Sequence, residues 1–465
     1  MNNFNRRSFL KSSSILAGAT LITPSLLSCH NPNSKLNIAV IGVGGRGSAN
    51  WNPVLETENI VAICDVDDKT AKKGYDRIIE VNPTVKKYKD FRVMFDEMHK
   101  QIDAVIISTP DHTHFAAAMI AMEMGKHVYI EKPLAHNVWE CRTLKKAANY
   151  YNIVSQMGNQ GHTTNGIRLI KEWYEAGILG EVEEIHAWIG GYNFGKGHYF
   201  DLPKNFPPQE NQIPDHLNWD LWLGPRENRD YNSIYAPRSW RGFFDFGNGK
   251  LGDWSCHTLD GPFWAMDLGM PSEVDSYVEN RFNEHHFVSE KSIVTYKFPK
   301  NDKRNGVTLK WFEGIPPQND PSWAAEELKA WGKELPTWGG MIMRGSKRSL
   351  YTHGRPNTPE LLVSENEWNE IQKSLPEQTI PRLKWGDETP VQEWIDAIKN
   401  DYLPESNFNY SADLTEMALI GTLSQRFGAK IIYDTENMKI TNRPDIDSYI
   451  KETVREGWEY GKSLV

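Results

Sequence analysis

Residues 253–257 read Asp-Trp-Ser-Cys-His. Histidine titrates near neutral pH and can take or give a proton under ordinary conditions. On a helix, Asp253 and His257 stand four residues apart and share a face, where the carboxylate could orient the imidazole or hold a hydroxyl. The same pair also fits a helix cap beside a core histidine, and spacing alone leaves both readings open. A third residue, Lys132, sits in Glu131-Lys132-Pro133 directly after the apolar run 127–130. At the end of a sheet strand, its ammonium could stabilise an oxygen that gains negative charge. By itself it equally fits a surface lysine.

The elements around these residues begin with the run 36–41, followed at once by Gly42-Val43-Gly44-Gly45-Arg46-Gly47. A G-x-G-x-x-G between a strand and a helix allows a tight turn at Gly42, backbone approach to a pyrophosphate at Gly44, and close packing at Gly47. Pro53 should shorten or kink the helix that follows. A second apolar strand, 60–64, ends in Asp65, the expected place for a carboxylate that binds a ribose 2′-hydroxyl and favours NAD over NADP. Asp65 also fits a turn residue capping the next helix. Strands are expected at 104–107, 127–130 and 153–157, with helices between them at 115–124 and from Asn137, where Glu140 completes a capping box, to about Tyr150. Strand-helix alternation implies a parallel sheet covered on both faces.

The 465 residues carry a net charge of −9 and contain 39% hydrophobic residues, which suits folded domains and excludes a basic nucleic-acid-binding surface. Cys29, Cys64, Cys141 and Cys256 lack disulfide or zinc spacing, and no metal site is expected. The expected division is 1–34 an export signal, 35–157 a Rossmann domain, and 158–465 a substrate and oligomerisation α/β domain. Twin arginines at 6–7 and a short apolar stretch at 15–27 resemble a twin-arginine leader for folded export, and Leu26-Leu27-Ser28-Cys29 resembles a lipobox with a lipid anchor at Cys29. The expected location is therefore periplasmic. Residues 314–384, rich in proline and glycine, read as an insertion over a sheet. Late helices are expected near 391–399 and 414–427, closing the second domain, and at 449–460.

The glycine loop with Asp65, the loop Ser108–His114, Glu131-Lys132-Pro133 and Asp253–His257 occur in the order found in the glucose-fructose oxidoreductase, inositol dehydrogenase and MocA family, which this chain resembles. The resemblance implies an N-terminal Rossmann domain and a C-terminal α/β domain with a large open mixed or antiparallel sheet that often serves homo-oligomerisation. It also implies that Gly45, Arg46, Asp65, Asp111, His114, Glu131, Lys132 and Asn159 lie near the dinucleotide. Thr109 belongs to the same candidate cofactor set. The bland alternative for His112 and His114 is a pair of histidines satisfied by backbone contacts.

With the resemblance, Lys132, Asp253 and His257 become the candidate catalytic set, with His257 the base that takes a hydroxyl proton while a hydride passes to NAD. Trp240 and Arg241 are candidate substrate contacts, since aromatic faces beside polar groups suit sugars. The expected activity is NAD-dependent oxidation or reduction of a sugar, glycoside or polyol hydroxyl, with a tightly held, recycled cofactor because free NAD should be scarce in the periplasm. One alternative is an NAD-dependent glycosidase working through transient C3 oxidation and elimination; such glycosidases resemble one another in lacking the lysine matched by Lys132. Another is a non-catalytic sugar-binding protein, because a fold alone never proves activity.

Overall fold

The computed structural model describes residues 34–190, 200–279, 286–314 and 323–464. The expected leader, with Cys29, lies outside them. From Lys35 onward the chain forms one compact unit built on two sheets.

The first sheet comprises β1 (Asn37–Ile41), β2 (Asn59–Cys64), β3 (Lys86–Tyr88), β4 (Ala104–Ile107), β5 (His127–Glu131) and β6 (Ser155–Gly158). All its pairs are parallel, in the order β3-β2-β1-β4-β5-β6. This is the doubly wound order, whose crevice opens where β1 and β4 lead away in opposite directions. Its central strands are buried on both faces, which is why they read as unbroken apolar runs rather than alternating ones. Val105 and Ile107 face the helices Phe91–Met98, Asp111–Glu123 and Val138–Tyr150; Ala104 and Ile106 face Asp68–Val81 and the helix Pro390–Asn400. That last helix, expected to close the second domain, instead covers the first sheet, where Trp394 is fully buried and donates through Nε1 to Val154 O at 3.1 Å.

The helix starts follow the local signals in two cases and depart in a third. The helix Gly47–Trp51 is only five residues long and passes into a 3-10 turn carrying Pro53. Asn137 and Glu140 form the capping box. The helix expected from Phe115 begins earlier, at Asp111, because Pro110 sits in the extended N-cap conformation and Asp111 is an acidic first-turn residue. Cys64, Cys141 and Cys256 are buried free thiols.

The second sheet has nine strands: β7 (Val182–Ile189), β8 (Glu273–Glu279), β9 (Lys291–Phe298), β10 (Val307–Glu313), β11 (Gly340–Gly345), β12 (Ser349–His353), β13 (Glu360–Leu361), β14 (Ile431–Asp434) and β15 (Lys439–Ile440), ordered β13-β12-β11-β7-β10-β9-β8-β14-β15. Only β7 and β10 run parallel; the other pairs are antiparallel. Residues 314–384 are thus not an insertion over the sheet, since β11, β12 and β13 belong to it. Met341 and Met343 face the main core while Ile342 faces the small cluster around Leu328, so apolar residues on both faces erase the alternation that marks a half-exposed strand.

Helix Phe408–Phe427 packs against both Val138–Tyr150 and Gly249–Thr258, tying the two sheets together. Arg142 donates to both carboxylate oxygens of Glu416 at 2.8 and 2.5 Å across this seam. The expected helix over 449–460 is absent. Glu452 is drawn to Arg226 at 2.6 Å, and Arg455 donates to Gly224 O at 2.5 Å, so long-range ion pairs stretch this segment over the surface.

Candidate active site

A cleft of about 320 Å³ opens at the C-terminal ends of β1, β4 and β5. One wall carries Gly42, Gly44, Gly45, Arg46, Asp65, Thr109, Glu131 and Lys132, all expected from sequence; the other carries Leu221, Trp222, Ala236–Arg238, Trp240 and Arg241 from the second half. The second wall is fastened to the first by main-chain hydrogen bonds from Asp68 N to His216 O at 3.0 Å and from Asn218 N to Val66 O at 2.9 Å. His216 Nδ1 also meets Asp67 Oδ1 at 2.8 Å.

The glycines have distinct reasons. A Cβ on Gly47 would lie 2.0 Å from Gly42 O, so the helix can approach the strand only without one. Gly45 has φ of +53° and open space beyond its Cα, which leaves room for a ligand at the loop. Asp65 Oδ2 accepts from Val43 N at 2.9 Å and Gly44 N at 3.1 Å, so it shapes the glycine loop as well as lining the cleft. It does not cap the next helix; Asp67 does. The Thr109 hydroxyl is buried without a partner among the described residues. Such a cradle, with an orphaned hydroxyl beside it, fits a dinucleotide.

Glu131, at the end of β5, accepts from Arg46 Nε at 2.7 Å and from Asn50 Nδ2 at 3.1 Å. Burial opposes its charge, but Arg46 and Lys132 outweigh that and lower its pKa. Three residues that the resemblance puts near the dinucleotide are engaged in buried networks. Asp111 is buried and binds Arg241 Nη1 at 3.0 Å. His114 is buried, with its ring nitrogens at the carbonyls of Pro133 (2.9 Å) and Thr109 (2.8 Å), so it braces the two loops from behind. His112 is likewise held by the Trp222 and Phe246 carbonyls, and the bland reading describes both histidines. Asn159 is fully buried; Nδ2 donates to Asp260 Oδ2 at 2.9 Å and Oδ1 accepts from Ser406 at 2.5 Å. None of the three lines the cleft.

Of the catalytic candidates, Lys132 and Asp253 meet, and His257 follows one turn later on the helix of Asp253; only Lys132 lines the cleft itself. Lys132, which precedes Pro133 across a cis peptide bond, pairs with Asp253 Oδ1 and also donates to Asp253 O at 3.1 Å. Asp253 and His257 share the helix Gly249–Thr258, as their spacing implies, yet the carboxylate engages Lys132 rather than the imidazole. Burial alone would raise the Asp253 pKa; Arg241 and Lys132 overcome this and hold it well below the usual carboxylate range. His257 is buried, and burial together with the Lys132 and Arg355 cations pushes its pKa well down, against the pull of Asp253. It is therefore neutral at pH 7. Four polar atoms on this helix, Asp253 Oδ2, Trp254 Nε1, Ser255 Oγ and His257 Nδ1, are buried without hydrogen-bond partners among the described residues. Buried polar atoms are rarely left unmatched; of these residues Asp253 and His257 share a face of the helix, while Trp254 and Ser255 point to other sides of it.

Arg241, expected at the substrate, binds Asp111, approaches Asp253 Oδ1 at 3.6 Å and stacks on Trp240 at 4.3 Å. Sequence reasoning missed Arg355, which pairs with Glu388 at 2.9 Å. Its neighbours hold it against the catalytic helix: Thr258 Oγ1 donates to Gly354 O at 2.7 Å, and Pro356 occupies the space a Cβ on Gly161 would need. Nothing in the turn-forming stretch Gly-Arg-Pro-Asn signals this placement.

The family model for the NAD-binding Rossmann fold of an oxidoreductase family matches residues 36–159, and that family's C-terminal alpha/beta domain matches residues 164–303. A glycosyl hydrolase family 109 protein of Shewanella putrefaciens is 32% identical over 166 residues, which span 30% of this chain and 36% of that protein. The levoglucosan dehydrogenase of Pseudarthrobacter phenanthrenivorans is 30% identical over 160 residues, 32% of this chain and 39% of that protein. Both matches thus span little more than a third of the relatives' length. The WlbA dehydrogenase of Bordetella pertussis, solved with NADH and UDP-GlcNAcA, shares the fold with a TM-score of 0.57 at 14% identity, covering 86% of this chain and 98% of that one. With both domain models matched in order, the chain belongs to the glucose-fructose oxidoreductase, inositol dehydrogenase and MocA family of NAD-binding oxidoreductases.

Proposed function

We propose that this protein is an NAD-dependent dehydrogenase acting on a hydroxyl of a sugar or glycoside, with a dinucleotide that stays bound between turnovers. The observation that carries the reading is the Lys132–Asp253 ion pair joining β5 to the helix of His257. Bound NAD supplies the hydride acceptor. Lys132, which lines the cleft, orients the substrate hydroxyl and stabilises the developing alkoxide. His257, kept neutral by burial and nearby cations, takes the proton. Asp253 balances the Lys132 charge and fixes its position. Trp240 and Arg241 stand on the facing wall as sugar contacts. The fastening of that wall at residues 66–68 supports slow cofactor release. A captive dinucleotide would suit export in the folded state and service in the periplasm, with Cys29 as a lipid anchor and the open face of the second sheet as a homo-oligomer surface.

The test is purified protein assayed for bound NAD and for absorbance change near 340 nm on adding sugars and glycosides. Lys132→Ala and His257→Ala should each cut turnover by about 10²–10⁴-fold while leaving NAD bound. No bound NAD in the parent and no absorbance change with any substrate would overturn the reading. Similarity to a glycosyl hydrolase family 109 protein favours a second reading, transient C3 oxidation followed by loss of the aglycone. Release of nitrophenol from a nitrophenyl glycoside without net NADH would establish it in place of the first.

A further inference from the structure

The glycine loop offers an anion less than its motif suggests. The helix behind it runs only from Gly47 to Trp51 before the turn at Pro53, so few aligned peptide dipoles point at the cleft. Most of its amides are also already engaged. Val43 N and Gly44 N donate to Asp65, Gly42 N to Cys64 O, Gly47 N to Gly44 O, Ser48 N to Gly45 O and Ala49 N to Arg46 O. A pyrophosphate lying on this loop therefore needs a countercharge from elsewhere.

The cations lining the cleft are Arg46, Lys89, Lys132, Arg238 and Arg241. Four have carboxylate partners: Arg46 with Glu131 at 2.7 Å, Lys89 with Asp68 at 2.8 Å, Lys132 with Asp253, and Arg241 with Asp111 at 3.0 Å. The Arg238 side chain has neither an ion pair nor a hydrogen bond among the described residues, and it is exposed and lines the same cleft as Gly44, Gly45 and Arg46. Its guanidinium presents a planar set of donors of the kind that matches phosphate oxygens.

We propose that Arg238, from the second half of the chain, is the cationic partner of the dinucleotide's pyrophosphate. This rests on the cofactor occupying the cleft as proposed above. Arg238 thereby makes the wall of residues 236–241 part of the cofactor site, so that dinucleotide and facing wall hold each other in place.

The experiment measures NADH affinity of the full chain by nicotinamide fluorescence over a salt series, with adenosine, which lacks phosphate, as a second probe. Arg238→Gln should weaken NADH by about 10-fold or more and flatten the salt dependence, while adenosine affinity stays at the parental value. Arg238→Lys should recover part of the loss. Unchanged NADH affinity and salt slope in Arg238→Gln would overturn the assignment and leave the dehydrogenase reading intact. Equal weakening of adenosine would also overturn it, since a lost phosphate contact cannot act on a probe without phosphate. Failure of the parental chain to bind NADH would overturn the cofactor reading, and this assignment with it.

Discussion

Arg355 tests how the imidazole proposed as the base, His257, is tuned. Its charge opposes protonation of His257, so Arg355→Gln should raise the His257 pKa towards the ordinary 6.5. A base must be unprotonated to act; the acid limb of kcat/KM should therefore move to higher pH in the variant, and a limb that stays put would remove Arg355 from that role. The identities of Lys132, Asp253 and His257 were legible because each sits in a short motif whose order the family shares. Their pairing was not. Helical spacing put Asp253 beside His257, but the end of β5 brings an ammonium to the same carboxylate, and a full charge competes better for it than a neutral imidazole. Asp111, His114 and Asn159, which the resemblance puts near the dinucleotide, turn their side chains into buried networks that their positions in the motifs do not reveal.

At the scale of elements, the glycine loop and the helix Pro390–Asn400 give opposite lessons. Gly47→Ala would force a Cβ to within 2.0 Å of Gly42 O, so NADH affinity should fall by at least about 100-fold or the protein should not fold. Gly45→Ala meets open space and should cost only about 1 kcal/mol for its left-handed backbone, read as a small shift in the urea midpoint. Equal effects would mean the loop is held differently. Trp394→Ala should destabilise by about 3–5 kcal/mol, because this fully buried ring fills the face beneath β6 and Val154. A loss below 1 kcal/mol on urea unfolding would detach that helix from the first sheet. The parallel strands were readable because burial on both faces makes continuous apolar runs, and the capping box marked its helix start. β11 and β12 were missed because they are short and largely buried on both faces, and β13 because it has only two residues after the glycine- and proline-bearing stretch 354–359. The segment 449–460 carries a helix-like pattern, but Glu452 and Arg455 are committed to distant partners.

For the molecule as a whole, buried histidines set the response to acid. His112 and His257 have pKa values well below the ordinary value, through burial and nearby cations, so the unfolded chain binds protons that the folded chain refuses. Folding stability should therefore fall as pH drops below about 6.5, by up to about 1.4 kcal/mol per pH unit for each histidine. His162, whose pKa is raised because Asp260 outweighs burial, works in the other direction: its contribution is full below the unfolded pKa and fades as pH rises through the folded one. His114 and His186 are lowered by burial too, and with four lowered histidines against one raised, urea midpoints at pH 7.5, 6.5 and 5.5 should decline in that order; a flat series would contradict the depressed histidines. The main-chain bonds from residues 216–218 onto the turn at 66–68 reach beyond stability to kinetics. A catalyst that never releases its redox carrier alternates between two charged states, and each donor must depart before an acceptor restores the starting form. Double-reciprocal plots at several fixed acceptor concentrations should then give parallel lines, the signature of a shuttle that stays aboard.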